Sequence, residues 1–171
     1  MIIRNSKLSD LPRLMEIFDE ARKTIALLGI NQWQNGYPTH DIIENDINKG
    51  ESYAVEISDT LAGSFVMILD GEPTYDNIYE GKWKSGNENQ SYLTIHRVAI
   101  SVAKRGTGIS GEIIKFAERK AKENGKTAIR IDTHEGNVVM RRMLEKNGFE
   151  YCGVIYLADD GAPRVAYQKI I

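Results

Sequence analysis

The segment best suited to chemistry lies between a predicted strand and a predicted helix and reads Arg105-Gly106-Thr107-Gly108-Ile109-Ser110-Gly111. Glycine lets the main chain come close to a ligand, and the unpaired N–H groups at the start of a helix bind anions. The segment is therefore a candidate phosphate loop. A tight turn without a ligand uses glycine in the same way, so the pattern alone leaves both interpretations open.

The same glycines match a second pattern, the dinucleotide fingerprint Gly106-x-Gly108-x-x-Gly111, with an acid, Asp132, about 20 residues further on. Three observations count against it. Residues 102–105 separate the strand from the first glycine, only 39 residues follow Asp132, and about ninety precede the strand. A nicotinamide or flavin oxidoreductase stays open as the alternative function.

His96 is the candidate general base on the strand that precedes the loop. An imidazole titrates near neutral pH, so it can take a proton directly or through one water. Alternation along a strand places Thr94 and Val98 on the face of His96, provided that no bulge intervenes. A histidine packed inertly in a sheet has the same pattern, so the sequence does not separate the two interpretations.

The elements that position these residues follow from hydrophobic periodicity and from helix-start and helix-stop signals. Strands are predicted over residues 1–4, 51–57, 61–69, 92–101, 127–133, 149–157 and 164–170. The predicted helices run from a cap at Ser9 to Gly29, over residues 41–49, from the glycine segment to Gly125, and from a cap at Asn137 to Gly148. This order is typical of an α/β or α+β layer structure. Residues 70–91 form a long connection of the kind often used as a lid or a mobile segment.

The composition excludes several classes of protein. A length of 171 residues favours one domain over residues 1–171. The lone cysteine, Cys152, excludes an internal disulfide, and with three scattered histidines we expect no metal site. A net charge of -2 argues against a nucleic-acid partner. Without a long apolar run for a signal peptide or a bilayer span, we expect a cytoplasmic protein with no membrane partner.

Residues 92–125 resemble the acyl-CoA motif of the GNAT superfamily, whose core pattern is Q/R-x-x-G-x-G/A. Arg105, Gly108 and Ser110 occupy its three defined positions, and Ser110 departs from Gly/Ala but is also small. A second family block matches at Asn137 and at residues 144–149, in the family's order and spacing. The resemblance implies a mixed, mostly antiparallel sheet of six to seven strands, about four flanking helices and a splayed central strand pair.

The resemblance also implies acetyl-CoA as co-substrate, bound in the splayed pair without a metal. Main-chain groups of the preceding strand would pair with the pantetheine, the loop would hold the pyrophosphate, and Asn137 would both cap its helix and contact the coenzyme. The implied coenzyme-binding residues are Val98, Ala99, Ile100, Arg105, Gly106, Thr107, Gly108, Ile109, Ser110 and Asn137.

Transfer in this family is direct attack of an amine on the thioester. In related arylalkylamine acyltransferases, histidines at the positions of Thr94 and His96 help to take the amine proton. The tyrosine that many relatives use as proton donor to the thiolate corresponds to Leu144, so Tyr156 is the candidate replacement, although its position favours an ordinary strand aromatic. Because that tyrosine is absent, a non-catalytic acyl-CoA sensor also stays open.

The amine acceptor is not named by the sequence. Small-molecule amines and peptide amines both stay open, as does a homodimeric assembly. Trp33, Tyr37 and the connection over residues 70–91 are the candidate acceptor contacts, with core packing as the alternative for Trp33. Residues 132–135 end a strand beside the proposed cleft, where they could line it or cap the helix that follows.

Overall fold

The computed structural model describes residues 1–85 and 91–171. This part of the chain divides into two compact units, each built from two chain segments. The first unit comprises Met1–Met67 and Arg97–Ile113, and the second comprises Ile68–His96 and Ile114–Ile171.

The first unit contains strands β1 (Ile2–Asn5), β2 (Ser52–Ile57) and most of β3 (Thr60–Ile68), together with helices α1 (Leu11–Ala26) and α2 (His40–Asn48). It also holds the end of strand β4 (Tyr92–Ile100) and the start of helix α3 (Ile109–Glu123). β1 pairs with β2 and β2 with β3, both antiparallel. Ser58 and Asp59 join β2 to β3 with φ of 49° and 60°, as a tight two-residue hairpin requires.

The core of the first unit lies where α1 and α2 cover the sheet. Leu11, Leu14, Phe18 and Ala21 recur at intervals of three and four along α1 and are all buried. They pack together with Ile43 and Ile47 of α2 and Ala99 of β4. The hydrophobic periodicity in the sequence therefore matches the buried face of α1.

The start of α1 differs from the sequence prediction, because Ser9 is not its cap. Ser9 lies inside a short 3-10 turn, Leu8–Asp10, that precedes the helix. The Asp10 carboxylate accepts a hydrogen bond from the Lys7 N–H at 2.8 Å and one from Arg4 at 2.7 Å. The hydrogen bond from Arg4 is the main reason that the pKa of Asp10 lies below its usual value. Since an ionised carboxylate is a stronger acceptor than a hydroxyl, Asp10 holds this turn in place of Ser9.

The second unit contains the start of β4, the rest of α3, β5 (Ala128–Thr133), α4 (Val138–Lys146), β6 (Glu150–Tyr156) and β7 (Pro163–Ile170). β5 pairs with β7 and β7 with β6, both antiparallel, whereas β4 and β5 are parallel. The strands follow the order β1-β2-β3-β4-β5-β7-β6 in a seven-stranded sheet, and the described residues form four α-helices. The predicted mixed, mostly antiparallel fold is confirmed.

Strands β4 and β5 share a ladder only at their amino ends. Their register consists of three pairs, from Tyr92↔Ala128 to Thr94↔Arg130, although β5 continues beside β7 as far as Thr133. Beyond this point Arg97 has a φ of 52°, in the left-handed region that non-glycine residues rarely enter. The alternation of side chains is interrupted there, so Val98 does not continue the face that Thr94 and His96 share.

The described part of the connection between β3 and β4 packs within the second unit. Pro73–Tyr75 forms a 3-10 turn, and the Tyr75 side chain is fully buried beside Tyr92 and Ile155. Tyr79 exchanges two main-chain hydrogen bonds of 2.8 Å with Val154 of β6. Residues 70–85 are therefore an ordered cover over the strands. Positions 86–90 of the predicted lid lie outside the described residues.

Within residues 1–85 and 91–171, no helix has both the length and the hydropathy needed to cross a membrane.

Candidate active site

The glycine loop connects the end of β4 to the start of α3. A 3-10 turn, Val102–Lys104, follows Ser101, and the Thr107 hydroxyl donates to the Lys104 carbonyl at 2.6 Å. Gly106 and Gly108 have φ of 74° and 86°, where a side chain would be strained. A Cβ atom at either position would meet nothing within 4 Å, so both glycines border open space. The loop can thus admit a ligand directly against its main chain.

The first turn of α3 faces the same open loop. The Glu112 N–H bonds to the Gly108 carbonyl at 3.3 Å, which closes the first turn of the helix. The N–H groups before it have no partner within the helix, and the helix dipole makes this end attractive to anions. Ile109 is buried and anchors the turn, while Arg105, Thr107 and Gly108 are exposed. The exposed loop and the start of α3 together form a candidate anion site.

Glu20 of α1 fixes the chain just before the loop, a role that the sequence did not suggest. Its Oε2 accepts hydrogen bonds from the Val102 N–H at 2.7 Å and from the buried Ser101 hydroxyl at 3.0 Å. The bond from Val102 is the main cause of the lowered pKa of the Glu20 carboxyl. Because 82 residues separate Glu20 from Val102 in the chain, no local pattern could have indicated this contact.

Arg97 is held in its rare backbone conformation by α2 and by the segment before it. Its guanidinium donates two hydrogen bonds of 2.8 Å to the Asp46 carboxylate, which is almost fully buried. It also donates to the Tyr37 hydroxyl. Such paired bonds are strong and directional, which explains how the strained φ of Arg97 persists.

Trp33 and Tyr37 were predicted to contact the acceptor. Trp33 packs edge-on against the core residue Phe18, with ring centroids 6.0 Å apart, and lies 6.2 Å from Tyr37. These contacts favour the core-packing interpretation of Trp33. Tyr37 supports Arg97, so its hydroxyl has a structural partner already.

In the second unit, His96 is paired with Glu72. The His96 Nε2 lies 2.9 Å from the Glu72 Oε2, and both side chains are about four-fifths buried. Burial alone would raise the pKa of the Glu72 carboxyl, but the hydrogen bond and charge of His96 and the hydrogen bonds from Thr74 lower it to about 2. Glu72 is therefore ionised at neutral pH. Sequence analysis missed this residue; its position just before Pro73 is typical of a helical-turn cap and was the available signal.

The polar residues at the end of β5 are engaged in structural contacts. Asp132 accepts a hydrogen bond of 2.6 Å from the Tyr75 hydroxyl, and Thr133 is buried. Burial, together with the charge of Asp132, raises the pKa of Tyr75. The His134 Nδ1 accepts a hydrogen bond of 3.0 Å from the Gly136 N–H, and burial lowers the pKa of His134. His134 is therefore a neutral ring that stabilises the turn before α4.

Asn137 caps α4 as predicted. Its side chain accepts a hydrogen bond from the Met140 N–H at 3.2 Å, and the residue is buried. Leu144, which stands where many GNAT relatives have a tyrosine, is fully buried in the core. Tyr156 ends β6 with its ring half-exposed and edge-on to Tyr79, at a centroid distance of 5.2 Å.

The family of the chain is decided by its pattern over residues 11–149, which matches the family model described as acetyltransferase (GNAT) family. The chain belongs to the GNAT acetyltransferase family.

Relatives of known sequence or structure agree with this GNAT assignment. A GNAT-family acetyltransferase from Streptococcus agalactiae is 38% identical, with a TM-score of 0.84 over 99% of this chain and 95% of that one. The uncharacterized N-acetyltransferase YesJ of Bacillus subtilis is 30% identical over 128 residues, covering 73% of this chain and 68% of that protein. The paia N-acetyltransferase of Thermoplasma acidophilum, solved in complex with coenzyme A, shares the fold at a TM-score of 0.75 and 16% identity, over 99% of this chain and 98% of that one.

The GNAT fold also bears on the dinucleotide-binding alternative. A doubly wound domain needs successive parallel strand–helix–strand units, whereas here β5 has β4 as a parallel neighbour and β7 as an antiparallel one. Asp132, the acid of that fingerprint, is already bonded to the buried Tyr75 hydroxyl. The glycine pattern therefore belongs to the GNAT motif rather than to a dinucleotide fingerprint.

Proposed function

We propose that this GNAT protein is a cytoplasmic N-acetyltransferase that moves the acetyl group of acetyl-CoA to a primary amine of a small molecule or peptide. The observation that carries the proposal is the open glycine loop at the start of α3, where the main chain at Gly106 and Gly108 borders free space. Anions bind such a helix start without any special side chain, and coenzyme A carries a pyrophosphate.

The coenzyme would extend from this loop along the end of β4. The main chain of Val98, Ala99 and Ile100 would pair with the pantetheine as an added strand does. The N–H groups from Gly106 to Ser110 would hold the pyrophosphate, beside the exposed Arg105. Asn137, besides capping α4, would contact the coenzyme.

The reaction is a direct transfer in which the amine nitrogen attacks the thioester carbonyl. A C–N bond forms, the C–S bond breaks, and the thiolate takes up a proton. An alkylamine with an ordinary pKa of 10.4 costs roughly 4–5 kcal/mol to deprotonate at pH 7, so a base is needed. We propose that His96 takes this proton, directly or through one water, and that Tyr156 supplies a proton to the thiolate.

A non-catalytic acyl-CoA sensor remains the second candidate, because the buried Leu144 occupies the position of the usual tyrosine. A thermal-shift series with acetyl-CoA, coenzyme A, NADH and NADPH tests coenzyme binding, since a ligand that binds only the folded state raises its stability. We expect a shift with acetyl-CoA and coenzyme A and none with the nicotinamides.

Thiol release from acetyl-CoA with a panel of amines then separates the two candidates. An N-acetyltransferase releases one thiol for each acetylated amine, and mass spectrometry of the acceptor shows the added acetyl group. Stabilisation by acetyl-CoA without thiol release for any amine class favours the sensor. Stabilisation by NADH but not acetyl-CoA overturns the proposal.

A further inference from the structure

The turn that carries Glu72 contacts both strands at the point where their ladder ends. Glu72 begins the 3-10 turn Pro73–Tyr75, and its Oε2 faces His96 of β4. Tyr75, three residues later, donates to Asp132 of β5. The turn thus contacts both strands just beyond the last β4–β5 pair, Thr94↔Arg130.

The orientation of the Glu72 carboxylate is fixed at each of its oxygens. Oε1 accepts a hydrogen bond from the Thr74 N–H at 3.1 Å, which leaves Oε2 for His96 at 2.9 Å. The Glu72 N–H donates to the Tyr92 hydroxyl at 3.1 Å, so the main chain is held as well. Neither the carboxylate nor the imidazole can turn without breaking one of these bonds.

Resting on the proposed role of His96, we propose that Glu72 is its positioning residue and sets which ring nitrogen takes the proton. An ionised carboxylate can only accept, so the facing Nε2 carries hydrogen and donates it. In the neutral ring the lone pair then lies on Nδ1, which bonds to no residue of the described chain. Nδ1 is therefore the atom that accepts the amine proton.

The charges around the pair support this assignment. Glu72 is ionised at neutral pH, as its lowered pKa indicates. The other titratable groups that face it are Tyr75, whose pKa is raised by burial, and Tyr92, on whose ring the Arg130 guanidinium stacks at 3.9 Å. When Nδ1 takes a proton, the imidazolium gains a charge beside the Glu72 carboxylate, which stabilises it without itself becoming protonated.

The decisive variant is Glu72→Gln, because Thr74 dictates how the amide must turn. The Thr74 N–H requires an acceptor at the Oε1 position, so the amide oxygen stays there and the amide NH₂ faces His96. An NH₂ group donates, so the facing Nε2 must become the acceptor and the hydrogen must move to Nδ1. We expect the tautomer of His96 to invert, and 15N NMR of histidine-labelled protein at a pH where the ring is neutral reads it directly.

Tyr75→Phe is the matched control on the same turn. It removes the hydrogen bond to Asp132 but leaves the atoms that face His96 unchanged. We expect the His96 tautomer to stay as in the wild type. The His96→Gln spectrum assigns the signal among the three histidines of the chain.

The kinetic result expected for Glu72→Gln is a fall in kcat on the order of a hundredfold, with the KM for acetyl-CoA unchanged. A wild-type ring with hydrogen on Nδ1, an unaltered tautomer in folded Glu72→Gln, or an inverted tautomer with wild-type kcat each overturns the proposal. If Glu72→Gln does not fold, the wild-type tautomer still decides the orientation. Absence of acetyl transfer by the wild type would defeat the proposed function, whereas the tautomer would still report whether Glu72 orients the ring.

Discussion

At the scale of single residues, the chemistry of a side chain depends on its partner. His96 alone is an ordinary imidazole, but next to an ionised Glu72 at 2.9 Å it becomes an oriented one. Asn137 illustrates the same point, because one amide oxygen caps α4 while the residue also stands at a GNAT motif position. A substitution at either residue can therefore change both the stability of the fold and the kinetics, and the two effects are measured separately.

His96→Gln keeps the polarity and approximate size of the side chain but cannot take up a proton near neutral pH. We expect kcat to fall on the order of a hundredfold, with acetyl-CoA affinity retained and the acidic limb of the pH–rate profile lost. Steady-state kinetics across pH and calorimetry of acetyl-CoA binding measure these effects. Wild-type turnover with an unchanged profile would mean that His96 is structural.

Asn137→Ala should lower the free energy of unfolding by about 1 kcal/mol, because the cap of α4 is lost. It should also raise the KM for acetyl-CoA. Thr39→Ala is the matched control, since Thr39 caps α2 through the Ile42 N–H and lies outside the motif. Urea unfolding and steady-state kinetics on both variants separate the two roles. If Asn137→Ala and Thr39→Ala have the same KM for acetyl-CoA, Asn137 has the capping role only.

At the scale of elements, two features position the proposed chemistry. One is the glycine loop, and the other is the β4 break, the point at Arg97 where the alternation of side chains along β4 is interrupted. Both depend on left-handed backbone conformations, which glycine adopts freely in the loop and which Arg97 adopts only because α2 holds it. The loop is additionally tied to α1 through Glu20. Besides covering the sheet, α1 therefore holds the glycine loop and α2 holds Arg97 in place.

Gly108→Ala tests the loop. The new methyl group would point into open space where we place the pyrophosphate, and the φ of 86° adds strain. We expect acetyl-CoA affinity to fall on the order of tenfold, with stability reduced by about 1 kcal/mol. Gly29→Ala, at a φ of 70° and also in open space, should show the stability loss alone. Calorimetry that finds equal affinities in the two variants would contradict the loop assignment.

Asp46→Ala tests the support of the β4 break. It leaves the Arg97 guanidinium largely buried without its carboxylate, which should cost about 3 kcal/mol of unfolding free energy. Asp41→Ala on the same helix is the control, because the Asp41 side chain is almost fully exposed, and it should cost less than about 1 kcal/mol. Similar losses in chemical denaturation would show that the ion pair does not hold the break.

At the scale of the whole chain, the strands, helices and glycine loop were predictable because each depends on local pattern. The bounds of β4 and α4 differ from the predicted ones by a residue or two, and the Asn137 cap is as expected. The contacts of Glu20, Glu72 and Asp46 were not predictable, because each joins residues that lie 24 or more positions apart. Ser9 was misassigned because its neighbour Asp10 accepts a hydrogen bond from Arg4 on the first strand, a contact that the helix-start pattern does not indicate.

Residues 78–81, within the cover formed by residues 70–85, also bear on how copies of this chain behave toward one another. β6 is an outermost strand, and an exposed strand edge is a template for pairing with another molecule. Tyr79 uses both main-chain groups of Val154, and Gly81 lies so close that a Cβ atom would come within 2.1 Å of the Cys152 carbonyl. The segment therefore occupies this edge at Val154 and Cys152, and we expect a larger residue at Gly81 to uncover it for pairing with another copy.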